Sequence, residues 1–309
     1  MAEEVGFDAV VVPDPFHPWV DDRGAAGFAW SWLGAAAVAT SSIELITTVT
    51  CPLFRYHPAV VAQAAATMDR LSGGRFVLGV GTGDAIHDAP LGWQGVSTGE
   101  RQARLREALQ LMRRLWSGAK VAFEGRYYRV DRARLYSPPE HKLRVFVAAH
   151  GPRSAALAGE MADGLITSVK DPQETQGRVL VPFRQAAAVR AATVLAGRWC
   201  VLAGDDQDAW EALAPLRGLR VPGRAQAVDP EDLRRQADRL GPEKVLARFA
   251  RARDAAELVE VYRPLVEDLG ADYVALQVAS VDPDRTVRLL ASEVLPSLKN
   301  LGGEVSGAR

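Results

Sequence analysis

The stretch "VVVPDPFHPW", Val10 to Trp19, opens on a continuous apolar run and breaks at once into a turn crowded with polar and aromatic groups. A run of that kind, without alternation, marks a strand buried on both faces, as in a parallel sheet covered by helices. The same succession recurs along the chain. Val/Ile/Leu-rich runs at Ala9–Val12, Leu45–Val49, Phe76–Val80, Val145–Ala148, Leu165–Thr167, Arg198–Leu202 and Tyr273–Gln277 alternate with segments of helical period such as Ala59–Leu71 and Arg101–Trp116. Repeated βα units of this kind predict an α/β fold, a (β/α)8 TIM barrel, as one domain over residues 1–301. Seven strands are one short of a closed circle, and "AEEVGFD" reads as the end of a helix, so the first strand is expected to be missing at the N-terminus. Counted with that strand, two insertions interrupt the pattern. A hairpin at "VAFEGRYYRV", turning at Gly125, follows the fourth strand, and a Pro/Arg-rich, helix-prone region from Asp205 to Leu240 follows the seventh. Residues 302–309 read as a disordered tail.

The bulk numbers narrow the function. With 37 Lys+Arg against 38 Asp+Glu there is no long-range field to attract nucleic acid or a membrane surface, so an anionic ligand needs a local site. Cys51 and Cys200 are the two cysteines, far apart in sequence, and read as reduced core thiols rather than a disulfide framework. No signal pattern or membrane-length apolar run is visible, and a cytoplasmic protein is expected.

In parallel barrels chemistry gathers at the C-terminal ends of strands. Those ends read "PDPFHPW", "TVTCP", "GVGTGDAIHD", "AAHGPR" and "TSVKD". In "LGVGTGDAIHD" the glycines at 79, 81 and 83 let backbone approach a ligand, and Asp84 follows directly. A dinucleotide fingerprint would need a helix immediately after the glycines, yet helical period resumes only near Thr98. In "VAAHGPRSAALAG", Gly151 and Pro152 open a helix whose free N–H groups face outward beside Arg153, which suits a phosphate, although an ordinary βα turn would look the same. Asp84, His87 and Asp88 imitate a metal cluster, but no further ligand stands at a definite spacing, and no metal is expected.

Taken together, "GFDAVVVPDPFHPW", "TVTCPLFRYHPAVVAQAAAT", "GRFVLGVGTG", "VAFEGRYY" and "AAHGPR" make the chain similar to the F420-dependent branch of the luciferase-like (bacterial luciferase family) barrel oxidoreductases. The resemblance is dense from Ala2 to Ile166 and thin beyond, returning at "EVLPSLKNLG". It is nearest to the glucose-6-phosphate dehydrogenase-like group, with a touch of the phthiodiolone ketoreductase-like group in "AAHGPR". The resemblance implies a deazaflavin in the barrel mouth, in a protein often found as a homodimer. It places a non-proline cis peptide at Thr48–Val49, the phosphate contact at Ala149, His150 and Gly151, and further cofactor contacts at Asp14, Gly83, Asp84 and His87. F420's tail of phosphate and glutamates would suit the nearby Arg55 and Arg153.

Departures from the group matter as much. Its Asp-His-Phe motif carries the His that takes a substrate proton, and this chain has Asp14-Pro15-Phe16. Its Glu-Ala-Leu-Asn becomes Asp84-Ala85-Ile86-His87, and the lysines that grip a sugar phosphate fall at Val179 and Ala247, with Arg178 and Arg248 alongside. Glucose 6-phosphate is therefore not the expected substrate. Catalytic candidates are Asp84, as acid or orienter, His17 and Trp19; His17 and Trp19 also have plain structural readings, as a turn histidine and a core aromatic, and Asp14 has one as a turn cap. The expected function is transfer of a hydride between F420 and a small carbonyl, alcohol or activated alkene. Competing readings are an FMN-dependent monooxygenase and a degenerate barrel that binds a cofactor or a partner without turnover.

Overall fold

The computed structural model describes residues 2–190 and 192–307, by backbone alone from 302 on. Its sheet begins with β1 (Ala9–Val12), β2 (Glu44–Thr47) and β3 (Phe76–Val80). A two-stranded antiparallel hairpin follows, β4 (Val121–Glu124) and β5 (Arg129–Ala133), as the turn at Gly125 predicts. Then come β6 (Arg144–Ala148), β7 (Gly164–Ser168), β8 (Thr193–Leu202), β9 (Ala250–Ala252) and β10 (Tyr273–Ala279). Seven strands pair in parallel in the order β1-β2-β3-β6-β7-β8-β10, curling into a nearly closed barrel with helices outside. Among the described residues β1 and β10 are not paired with each other, so the circle stays open between them.

Inward-pointing side chains fill the middle of the barrel. Ile46, Val77, Phe146, Ile166 and Leu195 form one buried cluster, completed by Val11 and Ala275 from the two edge strands. At the N-terminal end of the strands the interior turns polar. Glu44 accepts from Arg144 Nη2 at 2.5 Å and from the Tyr273 hydroxyl at 2.7 Å, joining β2, β6 and β10 across the floor. Outward-facing residues of the strands pack on the helices, for instance Leu45, Leu78 and Val145 against Val61, Ala65, Leu109 and Met112.

Several boundaries differ from those read off the sequence. The second strand ends at Thr47 rather than Val49, where the chain passes through a cis peptide bond between Thr48 and Val49, as the resemblance implies. β8 begins at Thr193 rather than Arg198, because "TVLAG" carries small residues that dilute the apolar signal although all of it pairs with β7. β9, "ARA", has no strand pattern of its own; it pairs with Cys200–Leu202 where β8 runs past the end of β7. The segment from Gly302 falls on the last helix, Leu295–Gly307, and residues 308 and 309 lie outside the described ones.

The second insertion forms the helices Asp206–Leu213, Pro230–Leu240 and Pro242–Leu246 and sits over the mouth. Ala209, Leu213, Leu233 and Phe249 pack with Ile86, Val201, Trp19 and Trp199. Arg217, almost wholly buried, clamps it further by pairing with Asp22 at 2.6 Å and Asp238 at 3.2 Å. Among the described residues no helix is long and apolar enough to cross a membrane.

Candidate active site

The turns after β1 and β3 meet beneath the insertion. Gly83, at φ +78, presents Asp84; a Cβ there would lie 2.6 Å from the Asp88 carboxylate, so the turn requires glycine twice over. Asp84 is half exposed, and its Oδ2 lies 3.0 Å from Arg224 Nη1 of the insertion. The Arg224 guanidinium covers the Trp19 ring at 4.9 Å, and Trp19 meets the His87 imidazole edge-on at 5.5 Å. His87 Nδ1 accepts the backbone N–H of His17 at 3.4 Å, while the His17 ring stacks on Phe16 with its own Nδ1 buried and unpartnered. Thus His17, Trp19, Asp84 and His87 come together, as the sequence suggested, around an arginine it did not suggest.

Burial pushes the His87 imidazole down to about 4, so the ring is neutral at neutral pH. A neutral ring accepting at Nδ1 keeps its proton on Nε2, where it remains a donor. Asp88, next in line, is buried and bound to Arg101 at 2.5 Å; loss of solvent raises its carboxyl despite that partner. Asp84, His87 and Asp88 therefore face three different partners, and among the described residues no three metal-binding side chains converge.

Asp14 has a different setting. Its carboxylate is buried and accepts from Thr50 Oγ1 at 2.9 Å and the Tyr56 hydroxyl at 3.2 Å, with Arg55 Nη2 at 2.6 Å. Arg55 also donates to the Asp14 carbonyl at 2.8 Å. The guanidinium expected to suit a cofactor phosphate is thus engaged in holding this turn.

After the neighbouring strand β6, which pairs with β3, Ala149 is buried, while His150 and Gly151 lie at the rim. Gly151 caps the helix Pro152–Met161 without any side-chain cap bond, and a Cβ on it would meet nothing within 4 Å. The first-turn N–H groups thus have no side-chain partner, the arrangement that accepts a phosphate. Val49 packs close to the Gly81 backbone, since a Cβ on Gly81 would lie 2.5 Å from Val49 Cγ2 and 3.7 Å from Ala148 Cβ. This joins the cis peptide to the β6 wall. Gln277 was not foreseen. It extends the inward stripe Tyr273-Ala275 of β10, lies over Gly197, and leaves its Oε1 buried with no partner. The alternation along that strand was the available signal.

Comparison with known proteins fits this geometry. The F420-dependent glucose-6-phosphate dehydrogenase of Nakamurella multipartita is 36% identical over 98% of this chain and 91% of its own length. That of Intrasporangium calvum is 38% identical over 97% of this chain and 93% of its own. Among solved structures, an F420-dependent secondary alcohol dehydrogenase in complex with an F420-acetone adduct superposes with a TM-score of 0.89 at 32% identity, covering 96% of this chain and 92% of that one. The family model described as luciferase-like monooxygenase matches residues 1–273, and the chain belongs to that family.

Proposed function

We propose that the protein is an F420-dependent oxidoreductase acting on a small carbonyl, alcohol or activated alkene, and that it works in the cytoplasm as a homodimer. The observation that carries this reading is the convergence of Trp19, Asp84 and His87 one strand along from an uncapped helix start at Gly151. When bound, the deazaflavin supplies a hydride carrier. Ala149, His150 and Gly151 hold its phosphate, and Thr48, Val49, Gly83 and His87 line the wall beside it. Asp14 serves the same wall indirectly, by fixing the turn that carries His17 and Trp19. Asp84, half exposed and oriented by Arg224, holds or moves the proton at the substrate oxygen, with His17 in reserve beside it. His87 offers a neutral N–H donor in the same corner.

A carbonyl or alcohol fits better than glucose 6-phosphate. Pro15 cannot act as a base, Val179 is buried among apolar side chains, and Arg178 pairs with Glu174 on the surface. The homodimer rests on the helix Ala29–Ala39, which is apolar nearly all round yet leaves Trp32 66% and Val38 74% exposed. Titration of the purified protein with F420 and with FMN, read by fluorescence, tests the cofactor. Saturable binding of F420, at least tenfold tighter than FMN, is expected. Preference for FMN would favour the monooxygenase reading, and binding of neither would leave a barrel without turnover.

A further inference from the structure

Gln277 stands on the inner face of β10, toward the mouth of the barrel. Below it on that face Ala275 and Tyr273 pack on the cluster in the middle of the barrel, and above it Ala279 belongs to the cluster beneath the insertion. The neighbouring strand repeats this succession. Leu195 of β8 lies in the lower cluster and Trp199 packs on the upper one beside Trp19, with Gly197 between them. On β3 and the turn after it Val77 and Ile86 belong to the two clusters, and Gly79, Gly81 and Gly83 come between. Two apolar layers are therefore separated by a level of small residues, into which β10 sends an amide.

Among the described residues the amide oxygen finds no partner: Oε1 of Gln277 is buried and accepts nothing. A Cβ on Gly197 would lie 3.0 Å from that oxygen and 3.3 Å from Ala275 Cβ, so glycine makes room for the amide against β8. The Gly197 carbonyl is spent on the Val169 N–H at 2.7 Å, and the Ala275 side chain offers no donor. The polar floor of Glu44, Arg144 and Tyr273 lies at the other end of the strands, with Ala275 in between. A buried acceptor left unmatched costs about 1–3 kcal/mol, so a chain that keeps one at the mouth gives up stability there. An amide oxygen accepts and never donates, hence the partner it lacks is an O–H or N–H group. A ketone carbonyl has none, and the reacting hydroxyl of an alcohol belongs to Asp84 in the reading above. The donor must come from a second group on the substrate.

We infer that Gln277 sets specificity by accepting a hydrogen bond from a second hydroxyl group close to the reacting carbon, so that the enzyme acts on hydroxy ketones and diols in preference to simple ketones and alcohols. The inference rests on the oxidoreductase reading and narrows its substrate class. Trp19 and Trp199 supply the apolar surface for the carbon chain of such a substrate.

The test uses two pairs of probes that differ by one hydroxyl, hydroxyacetone against acetone with reduced F420 and propylene glycol against isopropanol with oxidised F420. In the wild type the hydroxylated member of each pair should have a kcat/KM about tenfold higher, the fold-change of one hydrogen bond. Gln277→Met keeps the length of the side chain without its oxygen, and should bring each pair to within about twofold while F420 affinity, read by fluorescence, stays unchanged. Because the amide oxygen serves no contact within the fold, the same variant without substrate should melt at or above the wild-type temperature. Equal kcat/KM within the pairs, a preference that survives Gln277→Met, or a melting temperature lowered by more than about 3 °C overturns the assignment, the last by making the amide a structural partner. Turnover of neither pair by protein that binds F420 overturns the substrate class and leaves the cofactor reading intact. Failure to bind F420 overturns both.

Discussion

Two aspartates stand at the same end of the barrel in opposite circumstances. Asp14 is buried and held by Thr50, Arg55 and Tyr56, all within the turn after β2. Asp84 is half exposed and held by one arginine, from an insertion more than a hundred residues away in sequence. A buried carboxylate with both oxygens engaged is architecture, whereas one half exposed and held by a single partner is available for chemistry. The difference in setting separates the two roles where residue type does not.

Removing the architectural carboxylate should have the largest effect. Asp14→Ala strands the Arg55 guanidinium and two hydroxyl groups in a buried corner, and about 3–5 kcal/mol of stability should be lost, measured by urea unfolding. A loss under about 1 kcal/mol would erase the contrast. Asp84→Ala should act the other way round. Turnover with F420 should fall about 10- to 100-fold while cofactor affinity changes less than threefold, and stability should change by under about 1 kcal/mol because the ion pair faces solvent. Equal losses in turnover and affinity would move Asp84 from the reaction to the cofactor.

The smallest effect sharpens the comparison through pH. His87 titrates at about 4 in the folded protein and near 6.5 when unfolded, so between those values the unfolded chain binds the extra proton more readily. Its contribution to stability is whole above about pH 6.5 and declines as pH falls towards 4. His87→Gln should remove about 1–2 kcal/mol of that pH dependence, seen as flatter unfolding midpoints between pH 4 and 6.5. An unchanged slope would mean that another group carries it.

How much of this could be read from the residues follows from where each signal is stored. β3 was legible because "FVLGV" is buried along its whole length and so must be apolar throughout. β9 was not, because its strand character comes from the free edge of β8 rather than from "ARA". Trp19, Asp84 and His87 were legible as candidates because they stand in the turns that follow β1 and β3. Arg224 was hidden, since only the packing of Leu213, Leu233 and Phe249 over Trp19 brings it to Asp84. Arg55 was visible but misread: its sequence neighbourhood announces a cation near the mouth and says nothing of the carboxylate it already holds.

The floor of the barrel has a consequence for its shape. Backbone pairing leaves β1 and β10 unjoined, yet Tyr273, the first residue of β10, is moored through Glu44 to β2 and through Arg144 to β6. The ring that the ladder leaves incomplete is laced shut from within by three side chains. The gap between the edge strands is thereby pinned at its base, at the end of the barrel away from the candidate site.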